Sequence, residues 1–192
     1  WCADYAGEYI KMFPKHEVFI FSKKEKDEPF DKQKKIKRII LDQSFLEDEP
    51  LSYKDFDNSL VIFDDIDTYK KEHRDLYYQL RDTLMERGRH PAPGGKWGIS
   101  TVNIVHNPLQ GIKSKVSIRE SMYYVVFPRY NPRDSKVLLQ TYASISKDCL
   151  DEIMNTMIEI FNCEYNINKN KNIIYNNMVK HYIVRMKEVF IE

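Results

Sequence analysis

The chain has 192 residues, of which 42% are hydrophobic and 31% are charged, and its formal net charge is +1. This balance is typical of a folded globular protein and excludes a surface that is basic throughout, although it leaves room for a local basic patch. Three cysteines without a CxxC pair argue against a disulfide framework and a structural zinc site, and favour a reducing compartment. No apolar run of about 18 residues occurs, so the sequence predicts no membrane span.

The first part of the chain predicts one helix and three strands. Residues 2–13 form an amphipathic helix that ends before Pro14, and the apolar run 17–22 predicts a buried strand. The mixed charges of residues 23–37 are typical of a solvated loop or an exposed helix and not of a nucleic-acid patch. A second short strand is expected over 36–41, and the apolar run 60–66 predicts a third that carries two carboxylates.

The rest of the chain continues this alternation. A helix is expected from Tyr69 to Leu84 with Gly88 as its C-terminal cap, and strands are expected over 99–105 and 122–127. Residues 150–161 predict another amphipathic helix with Ser146 at its N-cap. The tail from 172 to 192 predicts an edge hairpin. The predicted apolar face of the first of these helices consists of Tyr69, His73, Leu76, Tyr77, Leu80 and Leu84.

Apolar strands that alternate with helices predict an α/β fold with a mostly parallel sheet and helices on both faces. In such folds, ligands bind beyond the carboxyl ends of the strands, so the polar residues at those ends are the first candidates for a site. These residues are Ser22, Asp64 with Asp65, and His106 with Asn107.

The segment Leu60-Val-Ile-Phe-Asp64-Asp65 has the form of a Walker B element. Its apolar residues bury a strand, the first carboxylate can hold Mg²⁺, and the second can orient or deprotonate a water. Because neighbouring residues of a strand point to opposite faces, the chain must turn at Asp65 for both carboxylates to serve one site. The alternative is that Asp64, Asp65 and Asp67 only cap the following helix.

A phosphate-binding GxxxxGK[ST] loop does not occur within the 192 residues. The nearest string, Gly94-Gly95-Lys96-Trp97, has neither the distal glycine nor the hydroxyl residue. We interpret it as a surface loop.

The order of these motifs resembles a known family. Asn58-Ser-Leu-Val-Ile-Phe-Asp-Asp-Ile-Asp67, then Glu86-Arg-Gly-Arg-His90, then His106-Asn107, then Tyr123-Tyr-Val-Val-Phe-Pro128 resemble the genome-packaging ATPases of nucleocytoplasmic large DNA viruses. These are P-loop motors of the FtsK–HerA class, with a RecA-like core. In that family the helix matching residues 2–13 directly follows the P-loop. The resemblance therefore implies a Walker A segment just upstream of Trp1 and a chain that is inactive without it.

The resemblance also assigns roles to the two carboxylates and to the next strand end. Asp64 would hold Mg²⁺ and bind the nucleotide through it, and Asp65 would activate the attacking water, where many related motors carry Glu. His106 or Asn107 would be the polar sensor of the γ-phosphate or of that water. The alternative for His106 is a strand-end histidine that bonds to a neighbouring loop.

The resemblance also implies roles for arginines and lysines in a ring of identical subunits. Arg89 would act as an arginine finger toward a neighbouring subunit's ATP, with Arg87 as the other candidate. The alternative for both is a cation that meets the dipole at a helix C-terminus. The candidates for contact with the DNA backbone are Lys96, Lys113, Lys115 and Arg119, with scattered solvated cations as the alternative.

The resemblance thus implies an ATP-driven translocase that packages double-stranded DNA into a viral capsid. Its partners would be DNA, further copies in a homo-oligomeric ring, and capsid or portal components, in the virion or in viral factories of the host cytoplasm. Residues 1–161 would form the NTPase core and 162–192 a C-terminal extension. Two alternatives are a degenerate, non-catalytic ATPase-like subunit and a nucleotide kinase, for which no acceptor-binding lid is evident.

Overall fold

The computed structural model describes residues 2–40, 51–88, 90, 98–106, 108–109, 114–127 and 131–156, and the backbone of 182–185 and 188–190. The chain divides into two compact units, Trp1–Glu120 and Ser121–Glu192. The boundary predicted between 161 and 162 lies outside the described residues. No helix in the described ranges combines the length and the apolar character needed to cross a membrane.

The first unit contains a parallel sheet of four strands in the order β2-β1-β3-β4. Short 3-10 helices at Tyr53–Phe56 and Ile66–Thr68 flank β3. A mixed α/β fold with a parallel sheet is therefore confirmed. In chain order the elements are α1 (Cys2–Met12), β1 (Glu17–Ser22), α2 (Glu28–Asp31), β2 (Ile36–Ile40), β3 (Ser59–Asp64), α3 (Lys71–Arg87), β4 (Ser100–Ile104) and α4 (Ser114–Glu120).

Helices cover both faces of this sheet because successive strand residues point to opposite sides. On one face, Ala6 and Tyr9 of α1 pack with Ile20 and Ile62. On the other face, Tyr77 and Leu84 of α3 belong to a cluster that also contains Phe21, Val61 and Phe63. Every residue of β3 is buried. This central strand therefore carries its last residue, Asp64, to the carboxyl edge of the sheet on a rigid support.

Helix α3 differs from its prediction at two positions. Leu76, predicted on the apolar face, is 36% exposed, whereas Arg81 is 1% exposed. Arg81 lies four residues after Tyr77 and three before Leu84, so it shares their face of the helix. Gly88 caps the helix as predicted, but its φ of −65° is right-handed. A glycine fits there because a Cβ atom would lie 3.0 Å from Cβ of Ile99.

The second unit has a small antiparallel sheet of order β5-β6-β7. Its elements are β5 (Tyr123–Val126), α5 (Pro132–Thr141), a helix over 147–156 that follows Ser146, β6 (Tyr182–Arg185) and β7 (Glu188–Phe190). The sequence pattern counted β5 among the strands of a mostly parallel sheet, but it pairs with β6. Its burial alternates along the strand, unlike the uniform burial of β3, as is common in antiparallel sheets with one solvated face.

Candidate functional site

Asp64 ends β3 beside the end of β1. The pairing of Phe21 with Phe63 brings the next residues, Ser22 and Asp64, side by side at the carboxyl edge. Ser22 Oγ donates a hydrogen bond to Asp64 Oδ2 over 2.9 Å and accepts one from the amide of Lys24 over 3.2 Å. Because that amide occupies the acceptor side of the hydroxyl, the hydroxyl proton is directed to Asp64. Ser22 and Asp64 are 1% and 8% exposed.

The chain turns sharply at Asp65, as both carboxylates of one site require. Asp65 has the left-handed φ of 52°, a conformation that aspartate tolerates better than most residues. Its amide still donates to Ile104 of β4 over 3.2 Å, while its carboxylate faces the residue beyond that strand. His106 Nε2 lies 3.1 Å from Asp65 Oδ2, so the ring N–H donates to the carboxylate.

Neither Asp64 nor Asp65 caps the following helix through its side chain. Asp65 precedes the short helix Ile66–Thr68, but its side chain makes no capping hydrogen bond there, and the N-cap of α3 is Lys70. Asp64 bonds to Ser22 instead. His106 bonds to Asp65, which lies in the turn after β3, so this contact fits both the sensor and the alternative of a strand-end histidine bonded to a neighbouring loop.

The second oxygen of Asp65, Oδ1, is the atom of the Asp65–His106 pair that can react with a water. Asp65 Oδ1 is buried and has no hydrogen-bond partner among the described residues. Burial is the largest cause that raises the pKa of Asp65; His106 opposes the rise and the charge of Asp64 adds to it. A carboxylate with one oxygen held and the other without a hydrogen-bond partner can accept a proton from a water that reaches it.

The turn after Asp65 is clamped from β1. Lys23 Nζ donates to the main-chain oxygen of Thr68 over 2.7 Å and to Thr68 Oγ1 over 3.1 Å. The Thr68 hydroxyl in turn donates to the main-chain oxygen of Asp65 over 2.8 Å. The Lys23 ammonium also lies 4.0 Å from the centre of the Tyr69 ring. These contacts connect the end of β1 to the backbone of Asp65.

The start of α1 belongs to the same edge of the sheet. Burial raises the pKa of the Cys2 thiol to about 12, and the carboxylate of Asp64 contributes to this rise. Cys2 therefore lies within electrostatic range of Asp64.

The oxygen donors at this edge fit Mg²⁺ held mainly by other ligands. Asp64 supplies a buried carboxylate and Ser22 a hydroxyl. The described residues contain no group of three or more metal-ligating side chains. Mg²⁺ commonly binds through one or two carboxylates together with waters and substrate phosphates. Asp64 and Ser22 thus supply oxygen donors of the kind that Mg²⁺ prefers.

Several candidates from the sequence lie outside the described residues: Asn107, Arg89, Lys96 and Lys113. Of the candidates for DNA contact, Lys115 and Arg119 are exposed on α4. Arg119 is also paired with Glu120 over 3.4 Å. Arg87 is exposed at the end of α3. Asp64, Asp65, His106 and Ser22 are the predicted residues that the structure brings together.

Sequence reasoning missed Lys23 and two arginines of α3. Lys23 was counted within a solvated charged stretch, although it directly follows the strand end that was singled out. Arg81 could have been found from its helical spacing to Tyr77 and Leu84, because a charge on an apolar face indicates a buried polar environment. No local pattern distinguishes Arg74 from an ordinary surface arginine.

Taken together, fold and site define an α/β protein with paired carboxylates at the carboxyl edge of a parallel sheet. The chain is similar to the uncharacterized protein V3 of the Sputnik virophage, with 28% identity over 155 residues. The alignment covers 80% of this chain, and the chain spans 60% of the length of that viral protein. No protein-family model and no solved structure matches the chain.

Proposed function

We propose that this chain belongs to the catalytic core of an ATP-driven motor that packages double-stranded DNA into a viral capsid. The observation that carries the proposal is that two neighbouring carboxylates at one strand end have different environments. Asp64 is held by Ser22 in a buried position, whereas Asp65 is turned toward His106 and its other oxygen has no hydrogen-bond partner among the described residues. A nucleotide hydrolase needs one carboxylate for the metal and another for the water.

In the proposed reaction, the residues of this chain bind the metal ion, orient the two carboxylates and accept a proton from water. Bound Mg²⁺ would neutralise charge on the transferring phosphoryl group. Asp64 would hold that ion while Ser22 keeps its carboxylate in place. Asp65 Oδ1 would accept a proton from the attacking water, and His106 would keep the other oxygen in position. The phosphate cradle would be a P-loop that precedes α1, in a RecA-like arrangement.

The similarity to a virophage protein supports a viral setting for this activity. Packaging motors act as rings, so we propose a homo-oligomer in which Arg89 completes the neighbouring subunit's site, as the sequence resemblance implies. Mixing inactive Arg89→Ala subunits with inactive Asp65→Asn subunits should then restore part of the activity. No rescue at any ratio, although the rings form and exchange subunits, would contradict a finger in trans.

The decisive experiment uses the protein expressed from the complete reading frame. We expect Mg²⁺-dependent ATP hydrolysis that double-stranded DNA stimulates, and loss of hydrolysis in Asp65→Asn with ATP binding retained. A second candidate, a degenerate subunit without catalysis, is favoured by the missing GxxxxGK[ST] string in these 192 residues. That alternative predicts no hydrolysis in the complete protein and assembly with an active subunit instead.

A further inference from the structure

A second polar site lies next to the Asp65–His106 pair. The turn after Asp65, α3, the end of β4 and α4 enclose a cavity of about 310 Å³. This volume is at the lower end of the range for small-molecule sites, about 300–1,000 Å³. The polar side chains that line it include Asp67, Arg74, Arg81, Asn103, His106 and Ser117.

Three polar atoms of this lining are buried and have no hydrogen-bond partner within the described part of the chain. They are Asp67 Oδ1, Arg74 Nε and Asn103 Oδ1. Proteins leave few such atoms, and each one calls for a water, an ion or a ligand. Two of the three accept hydrogen bonds and one donates. A ligand that bonds to Arg74 and to at least one of the two oxygens must therefore offer both an acceptor and a hydrogen.

The two arginines of the cavity differ in how firmly they are committed. Arg81 donates through Nε and Nη2 to Asp82 Oδ1 over 2.8 and 2.6 Å, and its guanidinium lies 4.5 Å from the centre of the Tyr78 ring. Its charge is thus balanced and its position fixed. Within the described part of the chain, Arg74 donates to the main-chain oxygen of Asp67, through Nη1 at 3.5 Å. A contact of that length is weak, so Arg74 is available to bind an oxyanion.

The carboxylate of Asp67 then selects among oxyanions. Beside a carboxylate, an oxyanion without a proton is repelled, whereas one that carries an O–H can donate to it. Inorganic phosphate keeps at least one proton near neutral pH. Sulfate has none, and a phosphomonoester is largely without one. We propose that this cavity binds inorganic phosphate, with Arg74 donating a hydrogen bond to a phosphate oxygen and Asp67 accepting one from the phosphate O–H.

The position of the cavity indicates what phosphate binding would do, and this part of the inference rests on the proposed function. His106 lines the cavity and also bonds to Asp65. Phosphate released at Asp65 would thus meet a second phosphate site one side chain away. The cavity would be the exit site of the hydrolysis product, and occupancy there would inhibit turnover.

The test measures binding of phosphate to the purified chain by calorimetry near neutral pH, without nucleotide or metal. We expect inorganic phosphate to bind, and sulfate and glycerol 3-phosphate to bind about tenfold more weakly or worse, as the loss of one hydrogen bond to a charged group predicts. Arg74→Gln should weaken phosphate binding by about tenfold or more. Asp67→Asn should remove the preference for phosphate over sulfate. The matched control is Lys71→Gln, which removes an exposed cation from the same helix and should change nothing.

Several results would overturn the proposal. They are the absence of phosphate binding, equal binding of sulfate, or phosphate binding that Arg74→Gln and Asp67→Asn leave unchanged. Circular dichroism verifies that each variant folds. Arg74→Lys provides a milder substitution at that position, because it keeps the positive charge but loses the planar set of guanidinium N–H donors. The proposed ATPase fails separately: phosphate binding without hydrolysis by the complete protein keeps the site and removes only its role as an exit.

Discussion

Asp64 and Asp65 are neighbours in sequence, yet the fold gives them different environments. Asp64 is 8% exposed and bonds to Ser22 within the sheet edge. The side chain of Asp65 is 26% exposed and bonds to His106, whose own side chain is 72% exposed. The comparison shows how one strand end can supply both a fixed ligand and a reactive group. The alternation of the strand holds the first residue, and a left-handed turn redirects the second.

The two environments also differ in what holds them. Asp64 is supported by strands on both sides, because β3 lies between β1 and β4. Asp65 is held at its backbone by Ile104 and Thr68 and at its side chain by one exposed histidine. We therefore expect substitutions around Asp64 to act on metal affinity and substitutions around Asp65 to act on turnover.

The largest effect should follow from Asp65→Asn in the complete protein. The amide cannot take a proton from water, so turnover should fall by about 10²–10⁴-fold, the usual contribution of a positioned general base. ATP affinity, measured with a fluorescent nucleotide, should change little because Asp65 does not hold the metal. The control is Glu86→Gln, an exposed carboxylate on α3. Turnover close to the wild-type value would remove Asp65 from the reaction.

A smaller effect on the Asp64 side is expected for Ser22→Ala. Loss of the hydroxyl removes the hydrogen bond that Ser22 donates to the Asp64 carboxylate, and outer-shell losses of this kind cost about 10–100-fold in metal affinity. Titration with Mn²⁺ followed by electron paramagnetic resonance measures this directly. Ser22→Thr keeps the hydroxyl and should bind nearly as well. If Ser22→Ala weakens binding equally in an Asp64→Asn background, Ser22 does not act through Asp64.

On the Asp65 side, His106→Ala should reduce turnover by about tenfold, the value of one hydrogen bond to a charged group. His106→Gln should recover most of this loss, because its amide can donate to Asp65 Oδ2 in place of Nε2. Metal affinity should stay unchanged in both variants. A His106→Ala protein that loses metal affinity instead would show that the two carboxylates are not separable in the way the structure indicates.

The sequence predicted the parts of this site that regular elements carry. The apolar run before Asp64 predicted a buried strand, and a parallel sheet gathers strand ends at one edge. Ser22, Asp64 with Asp65, and His106 with Asn107 were therefore the expected candidates. Asp65 required a turn, which was predicted from alternation alone. These inferences succeeded because the periodicity of each strand is a local property of the chain, and because parallel strands joined by helices end at the same edge of a sheet.

Other features depend on contacts that no local pattern contains. The Lys23–Thr68 clamp joins residues 45 positions apart, and the cavity brings α3 and α4 together across β4. The antiparallel pairing of β5 with β6 likewise joins distant segments. A strand pattern predicts that a strand exists but not which strand it pairs with. For this reason, β5 was wrongly included in the mostly parallel sheet.

The smallest effect should come from the clamp on the Asp65 turn. Lys23 is exposed, so its contacts with Thr68 contribute little to stability, as is typical of surface polar contacts. They connect to the main-chain oxygen of Asp65, however, and a small displacement of a catalytic group lowers turnover. We expect Lys23→Ala to reduce turnover several-fold without changing metal affinity or the midpoint of thermal unfolding.

Lys24→Ala provides the matched control for this prediction. It removes the same charge from the next residue, while the Lys24 amide that donates to Ser22 remains. The side chain of Lys24 pairs with Asp27 at 3.4 Å, away from the turn. If Lys24→Ala lowers turnover as much as Lys23→Ala, the loss of turnover comes from removing a positive charge near the nucleotide and not from the contacts of Lys23 with Thr68. If only Lys23→Ala does, and Thr68→Val reproduces it without adding to it in the double variant, β1 acts on Asp65 through the turn. The end of β1 would then serve both carboxylates, Asp64 through a buried hydroxyl and Asp65 through an exposed ammonium.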